Sequence, residues 1–154
     1  MKSQYFLTEI KNNLSGKITH LIITREPLKD KGVISNRMPI KPRTDLVSAE
    51  NPLQAAILML GQSTTFIPHI HLDRELSSKW TRTVEAWIIL QGSVEAFLYD
   101  KEEKLIQIVT LKATEIVMTI EGGHNYVSKQ DETIVLEMKS GPYDQEKDKV
   151  RFKP

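Results

Sequence analysis

Cysteine is absent from the 154 residues. That excludes disulfides, thiol nucleophiles, iron–sulfur clusters and cysteine zinc sites. A metal, if one is held, must sit on nitrogen and oxygen donors. Such a set suits one divalent Fe, Mn, Ni, Co or Zn ion in a mixed imidazole–carboxylate site, not a structural zinc site built on thiolates. Net charge is nearly absent as well: 21 Lys and Arg against 20 Asp and Glu leave +1. No global field draws the chain to nucleic acid or to an acidic membrane, so neither partner is expected. No apolar run approaches the roughly 18 residues that span a bilayer. The start, Met1-Lys2-Ser3-Gln4-Tyr5-Phe6, lacks a signal-peptide core, and a cytoplasmic protein is the expectation. A sustained apolar period of 3.6 is missing too, apart from a short turn near Asp144 to Lys149, and there is no internal repeat.

What the chain does have is short strand patterns. The length suits one compact domain with its own core. Lys17 to Thr24 is rich in β-branched residues and reads as a strand. Prolines at 27, 39, 42 and 52 make the following stretch an extended arm with turns, free to wrap the domain or to cross to a second subunit. From Leu53 the pattern tightens. Strands are predicted over Leu53 to Leu60, Thr64 to His71, Thr83 to Leu90, Val94 to Tyr99, Leu105 to Leu111, Glu115 to Ile120, His124 to Val127 and Thr133 to Lys139. Close spacing with polar turns argues an all-β sandwich or barrel. The reading is therefore an N-terminal strand and arm over 1–52 packing on a barrel of 53–143, with a C-terminal tail of 144–154. Both faces of the Thr83 to Leu90 strand are apolar. Its outer face is expected to be covered by the arm or by another subunit, and a homodimer is the expectation.

Only four histidines occur, and three of them fall in one constellation with a glutamate. Pro68-His69-Ile70-His71 puts two imidazoles on one face of a strand, because strand side chains alternate. Glu85 and His124, from other strands, complete a candidate cage. Two imidazoles and a carboxylate leave open coordination positions, as in non-haem Fe(II) sites, and adding His124 still leaves room for water or a ligand. His20 has no such context.

Here the sequence resembles the cupin superfamily, whose members are double-stranded β-helices, or jelly-roll barrels. The matching residues are Gly61, His69-Ile70-His71, Glu85-Ala86-Trp87-Ile88-Ile89-Leu90-Gln91-Gly92 and, for the second motif, Gly122-Gly123-His124. They span about residues 53 to 140. The ending Glu137-Met138-Lys139-Ser140-Gly141-Pro142-Tyr143, with Asp148-Lys149-Val150-Arg151-Phe152 after it, looks like that of small cupins from bacterial surface-polysaccharide and sugar biosynthesis. The chain departs from the pattern in placing thirteen residues between His71 and Glu85. Glu75 lies nearer to His71 but sits in a polar loop and lacks a glycine seven residues on; Glu85 lies in a strand, which fixes its direction. In the second motif, the usual proline and the glycine three before the histidine are absent, with Thr119 and Glu121 nearby instead.

Further residues frame the cage. Trp87 and Ile89 share a face with Glu85, as barrel core or as a wall for a ligand. Tyr126 shares a face with His124, as core or as an acid/base. Arg74, Lys79, Trp80 and Arg82 on the insertion form either a clamp for an anionic small molecule or a solvated loop. Glu137 and Lys139 share a face of the last strand, pointing either into the barrel or to solvent. The resemblance implies a metal-dependent enzyme acting on a sugar or sugar-derived small molecule, isomerase- or epimerase-like. A metal-dependent dioxygenase uses the same ligands, and a non-catalytic binding module uses the same barrel.

Overall fold

A computed structural model describes residues 5–11, 14–29, 35–38, 41–76 and 79–154, without the side chains of residues 75–80. Among these there is no helix. The chain divides into two compact units, Met1–Lys41 and Pro42–Pro154.

The first unit is a three-stranded antiparallel sheet of β1 (Phe6–Lys11), β2 (Ile18–Thr24) and β3 (Ser35–Arg37), in the order β2-β1-β3. The β-branched run Ile18 to Thr24 forms the strand its composition predicts. β1 and β3 lie where no strand is legible, because each is short and polar on one face. Buried Thr8 shares a 2.6 Å hydrogen bond with Ser35 across the pair. The prolines at 27 and 42 flank strands instead of entering them, as a residue without an N–H must.

The second unit holds two five-stranded sheets. Its elements are β4 (Arg43–Asp45), β5 (Leu53–Leu60), β6 (His69–His71), β7 (Arg74–Leu76), β8 (Lys79–Thr81), β9 (Glu85–Gln91), β10 (Ser93–Tyr99), β11 (Leu105–Lys112), β12 (Ile116–Thr119), β13 (Gly123–Ser128), β14 (Thr133–Ser140) and β15 (Lys149–Arg151). One sheet runs β11-β10-β13-β6-β15, the other β12-β9-β14-β5-β4. All pairings are antiparallel. Leu58, Trp87, Ile89, Val94, Tyr126 and Val135 supply the core. This is the jelly-roll arrangement of an all-β barrel.

Three elements differ from the sequence pattern. The run Thr64 to His71 is broken: Thr65 makes an isolated bridge to Val127, and pairing resumes only at His69. Pro68 interrupts it, having no N–H to give; its carbonyl accepts from Phe152 N at 3.0 Å. The insertion after His71 is a hairpin, β7 with β8, whose neck is closed by Thr83 Oγ1 donating to Leu72 O at 2.8 Å. Residues 149–151, read from the sequence as part of a tail, pair with β6 as an edge strand of the barrel. On β9, Glu85, Trp87 and Ile89 are buried, while Ala86, Ile88 and Leu90 on the other face are half-buried.

Two glycines answer to definite backbone demands. Gly92 turns β9 into β10 at φ +80°, and a Cβ there would meet Thr133 Oγ1 at 2.5 Å. Gly122 enters β13 at φ +87°, and a Cβ there would run into the Tyr99 carbonyl oxygen. Both positions forbid a side chain twice over, by conformation and by space.

Candidate metal centre

Strand alternation brings His69 and His71 to one face of β6, and the β13 register sets His124 directly opposite His69. Glu85 arrives from β9 in the facing sheet. The first two rings lie edge to face with centroids 4.9 Å apart, and His69 lies 4.6 Å from His124. One donor atom from each of His69, His71, Glu85 and His124 can be chosen so that all four lie within 4.8 Å of one another. Ligands on one first-row ion, with bonds of about 2.1 Å, stand up to about 4.2 Å apart, so a small contraction would bring all four onto one ion. The four side chains are almost wholly buried; His124 is 0 % exposed and Glu85 3 %.

The buried hydrogen bonding is incomplete in the way a cation would complete. His69 Nδ1 is held by the Ile67 carbonyl at 2.9 Å, but its Nε2 has no hydrogen bond. His71 Nε2 donates to Glu85 Oε2 at 3.0 Å. His124 Nε2 comes within 2.9 Å of Glu85 Oε1, off the line a hydrogen bond needs, and both His124 nitrogens are buried without one. Buried polar atoms are rarely left so. Three imidazoles and a carboxylate with orphaned inward nitrogens fit a divalent ion of the Fe, Mn, Ni, Co or Zn class.

The charge states of His69 and Glu85 agree with that fit, while His71 would give up a proton to a metal. Burial, and then the charge of His124, push His69 down to about 3, so at neutral pH its ring is an uncharged donor. Burial also disfavours a charged His71, but the Asp148 and Glu85 carboxylates outweigh it and raise its pKa. Burial disfavours ionised Glu85, yet the adjacent His124 and His71 hold it well below the usual carboxylate range.

A second carboxylate stands behind the cluster. Asp148, 1 % exposed, lies 3.5 Å from His71 Nδ1, on the ring edge away from Glu85. It accepts from Lys139 Nζ at 2.8 and 2.7 Å and is closed by Arg74 Nη2. Burial disfavours its charge, but His71 and Lys139 outweigh it and depress its pKa. A carboxylate on the far nitrogen of a ligating histidine fixes ring orientation and tautomer.

In front of the cluster is a cavity of about 420 Å³, reached by His69 and Glu85. Its apolar wall is Phe66, Trp87 and Tyr126. Trp87 stacks on Tyr126 at 3.9 Å, Phe66 meets Trp87 edge-on, and Trp87 Nε1 donates to Glu85 Oε1 at 3.1 Å. Burial, and then the charge of Glu85, raise the Tyr126 hydroxyl, which stays protonated. The polar wall comes from β14. Its register sets Lys139 opposite Glu85, Glu137 opposite Trp87 and Val135 opposite Ile89. Glu137 and Lys139 therefore face inward, the first of the two directions that the sequence leaves open. Arg43 on β4 donates to Glu137 Oε1 at 2.8 Å. Burial and the charge of Glu85 nevertheless raise the Glu137 pKa against the pull of Arg43.

Of the cations sought on the insertion, Arg74 turns to Asp148, not to the cavity. Arg82 is exposed, reaches Glu121 at 3.0 Å, and lines a separate hollow of about 260 Å³. The side chains of Trp80, Lys79 and Glu75 lie outside the described residues. The sequence gives Arg43 no role and offers Tyr143, Asp148, Lys149 and Arg151 only in the ending that carries the resemblance, not as site residues. The alternation Lys149-Val150-Arg151-Phe152 is a period-two signal that could have found the last strand.

No protein-family model matches this chain, and no curated protein does either. Solved structures do. An uncharacterized conserved protein with a double-stranded β-helix domain from Klebsiella pneumoniae superposes with a TM-score of 0.54 at 12% identity, over 73% of this chain and 84% of that one. The capsular polysaccharide assembling protein CapF from Staphylococcus aureus gives 0.55 at 15% identity, over 73% of this chain and 32% of that one. Oxalate decarboxylase from Bacillus subtilis gives 0.52 at 14% identity, over 68% and 24%. The chain thus spans about a third and a quarter of the last two. The fold is the double-stranded β-helix, and within it His69, His71, Glu85 and His124 form a cluster fit for a metal.

Proposed function

We propose that this chain is a cupin and a metal-dependent enzyme acting on a sugar or sugar-derived small molecule, isomerase- or epimerase-like. The observation that carries the reading is the donor cluster itself: four atoms within 4.8 Å, two of their residues reaching a polar cavity large enough for a small ligand. His69, His71, Glu85 and His124 would hold the ion. When bound it would supply Lewis acidity toward a carbonyl or hydroxyl oxygen.

The other residues suit proton movement on a bound sugar. Glu137 is a carboxyl whose pKa is raised by burial and by the charge of Glu85, on the cavity wall beside Trp87. That is the property of a group able to take and return a proton. Arg43 holds its orientation. Tyr126 and Trp87 give a flat face for a sugar ring and keep water from the floor of the site. CapF, of the same fold, is a capsular polysaccharide assembling protein, which directs the choice of substrates toward polysaccharide precursors.

The test has two parts. Chain purified without chelator or histidine tag should hold about one metal ion by elemental analysis. His69→Ala with His71→Ala should lose that ion while keeping its strand signature in circular dichroism; stoichiometric metal retained in this variant refutes the site. Sugars incubated with the loaded chain in deuterated water should gain deuterium beside the carbonyl carbon, and Glu137→Gln should abolish the gain. Oxygen consumption by the Fe(II)-loaded chain would instead favour the dioxygenase.

The proposal includes a cytoplasmic homodimer. Its support is the apolar surface on edge strands β11 and β12, where Ile106, Ile108, Ile116 and Met118 are exposed. No helix among the described residues is long and apolar enough to cross a membrane.

A further inference from the structure

The cations that reach the cavity fall into two kinds. Lys139 is neutralised by both oxygens of Asp148, and Arg43 by Asp45 and Glu137 at 2.8 Å each. Lys149 and Arg151 are different. Both line the cavity, and neither has a carboxylate at ion-pair distance among the described residues. Their placement follows from register. β15 pairs with β6 so that Lys149 lies opposite His71 and Arg151 opposite His69. Directly opposed residues share a sheet face, so the two cations stand on the inner face beside the two imidazoles.

Two cations without an ion pair add positive potential to one cavity wall, against the Glu85 and Glu137 carboxylates that also line it. A neutral sugar would leave that charge unanswered. A carboxylate or phosphate would accept charge-assisted hydrogen bonds from the Lys149 ammonium and the Arg151 fork. The size is also selective: about 420 Å³ is at the small end of ligand pockets, right for one acidic sugar and too small to enclose a nucleotide sugar.

We infer that Lys149 and Arg151 form an anion subsite that holds the carboxylate or phosphate of a monosaccharide-sized acid while the rest of the molecule reaches the histidine–glutamate cluster. The second half of that statement rests on the metal-dependent reading above; the anion preference does not.

Calorimetric titration of the full chain, metal-free and manganese-loaded, with glucose, glucuronate and glucose 6-phosphate separates the possibilities. At least one acidic sugar should bind about tenfold or more tighter than glucose, and the difference should shrink in high salt. Whether glucuronate or the phosphate gains tells carboxylate from phosphate. Lys149→Gln with Arg151→Gln should erase the preference with metal content unchanged by elemental analysis, and Lys149→Arg should keep it. Equal binding of all three sugars, or a preference that survives the double substitution, overturns the subsite. A preference in a chain that takes up no metal would uphold the subsite and remove the metal-dependent reading, so the two failures are distinct.

Discussion

Asp148 is the residue on which most polar order converges. It joins Lys139, Arg74 and His71, all of them largely buried. Asp148→Ala leaves Lys139 buried without its counter-charge, a loss worth about 3 kcal/mol or more, which urea denaturation would measure. The milder Asp148→Asn keeps a hydrogen-bonding group of the same shape. It should lower metal affinity by roughly 10–100-fold while the barrel stays folded, read by competition with a metallochromic chelator. A drop in stability with affinity unchanged would make Asp148 a packing residue only. The four cluster residues were legible because histidine is rare in this chain and an H-x-H pair on a strand has one geometry. Asp148 was legible only in the ending that carries the resemblance, not as a partner of the cluster. Nothing in Asp144 to Asp148 distinguishes one acid from another until the chain folds back along β6.

At the scale of elements, the turn chemistry and the last strand decide the site. Gly92 sits at positive φ with Thr133 backbone against it. Gly92→Ala should cost about 2 kcal/mol, visible as a shifted urea midpoint with an unchanged slope, because alanine, unlike glycine, is strained in this conformation. The C-terminal segment is a structural member of the sheet: Leu72 N donates to Asp148 O, and Phe152 N to Pro68 O, both at 3.0 Å. Ending the chain at Lys147 removes β15 and Asp148 together. The truncated protein should lose metal binding by elemental analysis and melt lower, since β6 would become an unpaired edge. Most strands were readable from alternation. The exceptions have causes. Pro68 breaks a run that reads as one strand, the insertion closes into a hairpin through Thr83, and β15 is three residues long, too short for its period to stand out.

For the whole molecule, the proposed dimer makes a separable prediction. Wild-type chain should sediment as a dimer, and Ile108→Glu with Met118→Glu should sediment as a monomer with its metal content intact. A monomeric wild type would end that proposal. The sequence by itself determined the class of fold and the donor types. Alternating short apolar runs leave little but a β barrel, and a chain without cysteine can offer a metal only imidazole and carboxylate. Tertiary structure decided which charges enter the barrel. Glu137 and Lys139 could have faced either way, Arg74 and Arg82 promised a clamp, and Lys149 and Arg151 passed for a tail. A strand's direction is local and survives in its pattern, but the face it turns inward depends on the register with its neighbours, and register is set by residues far away in the chain.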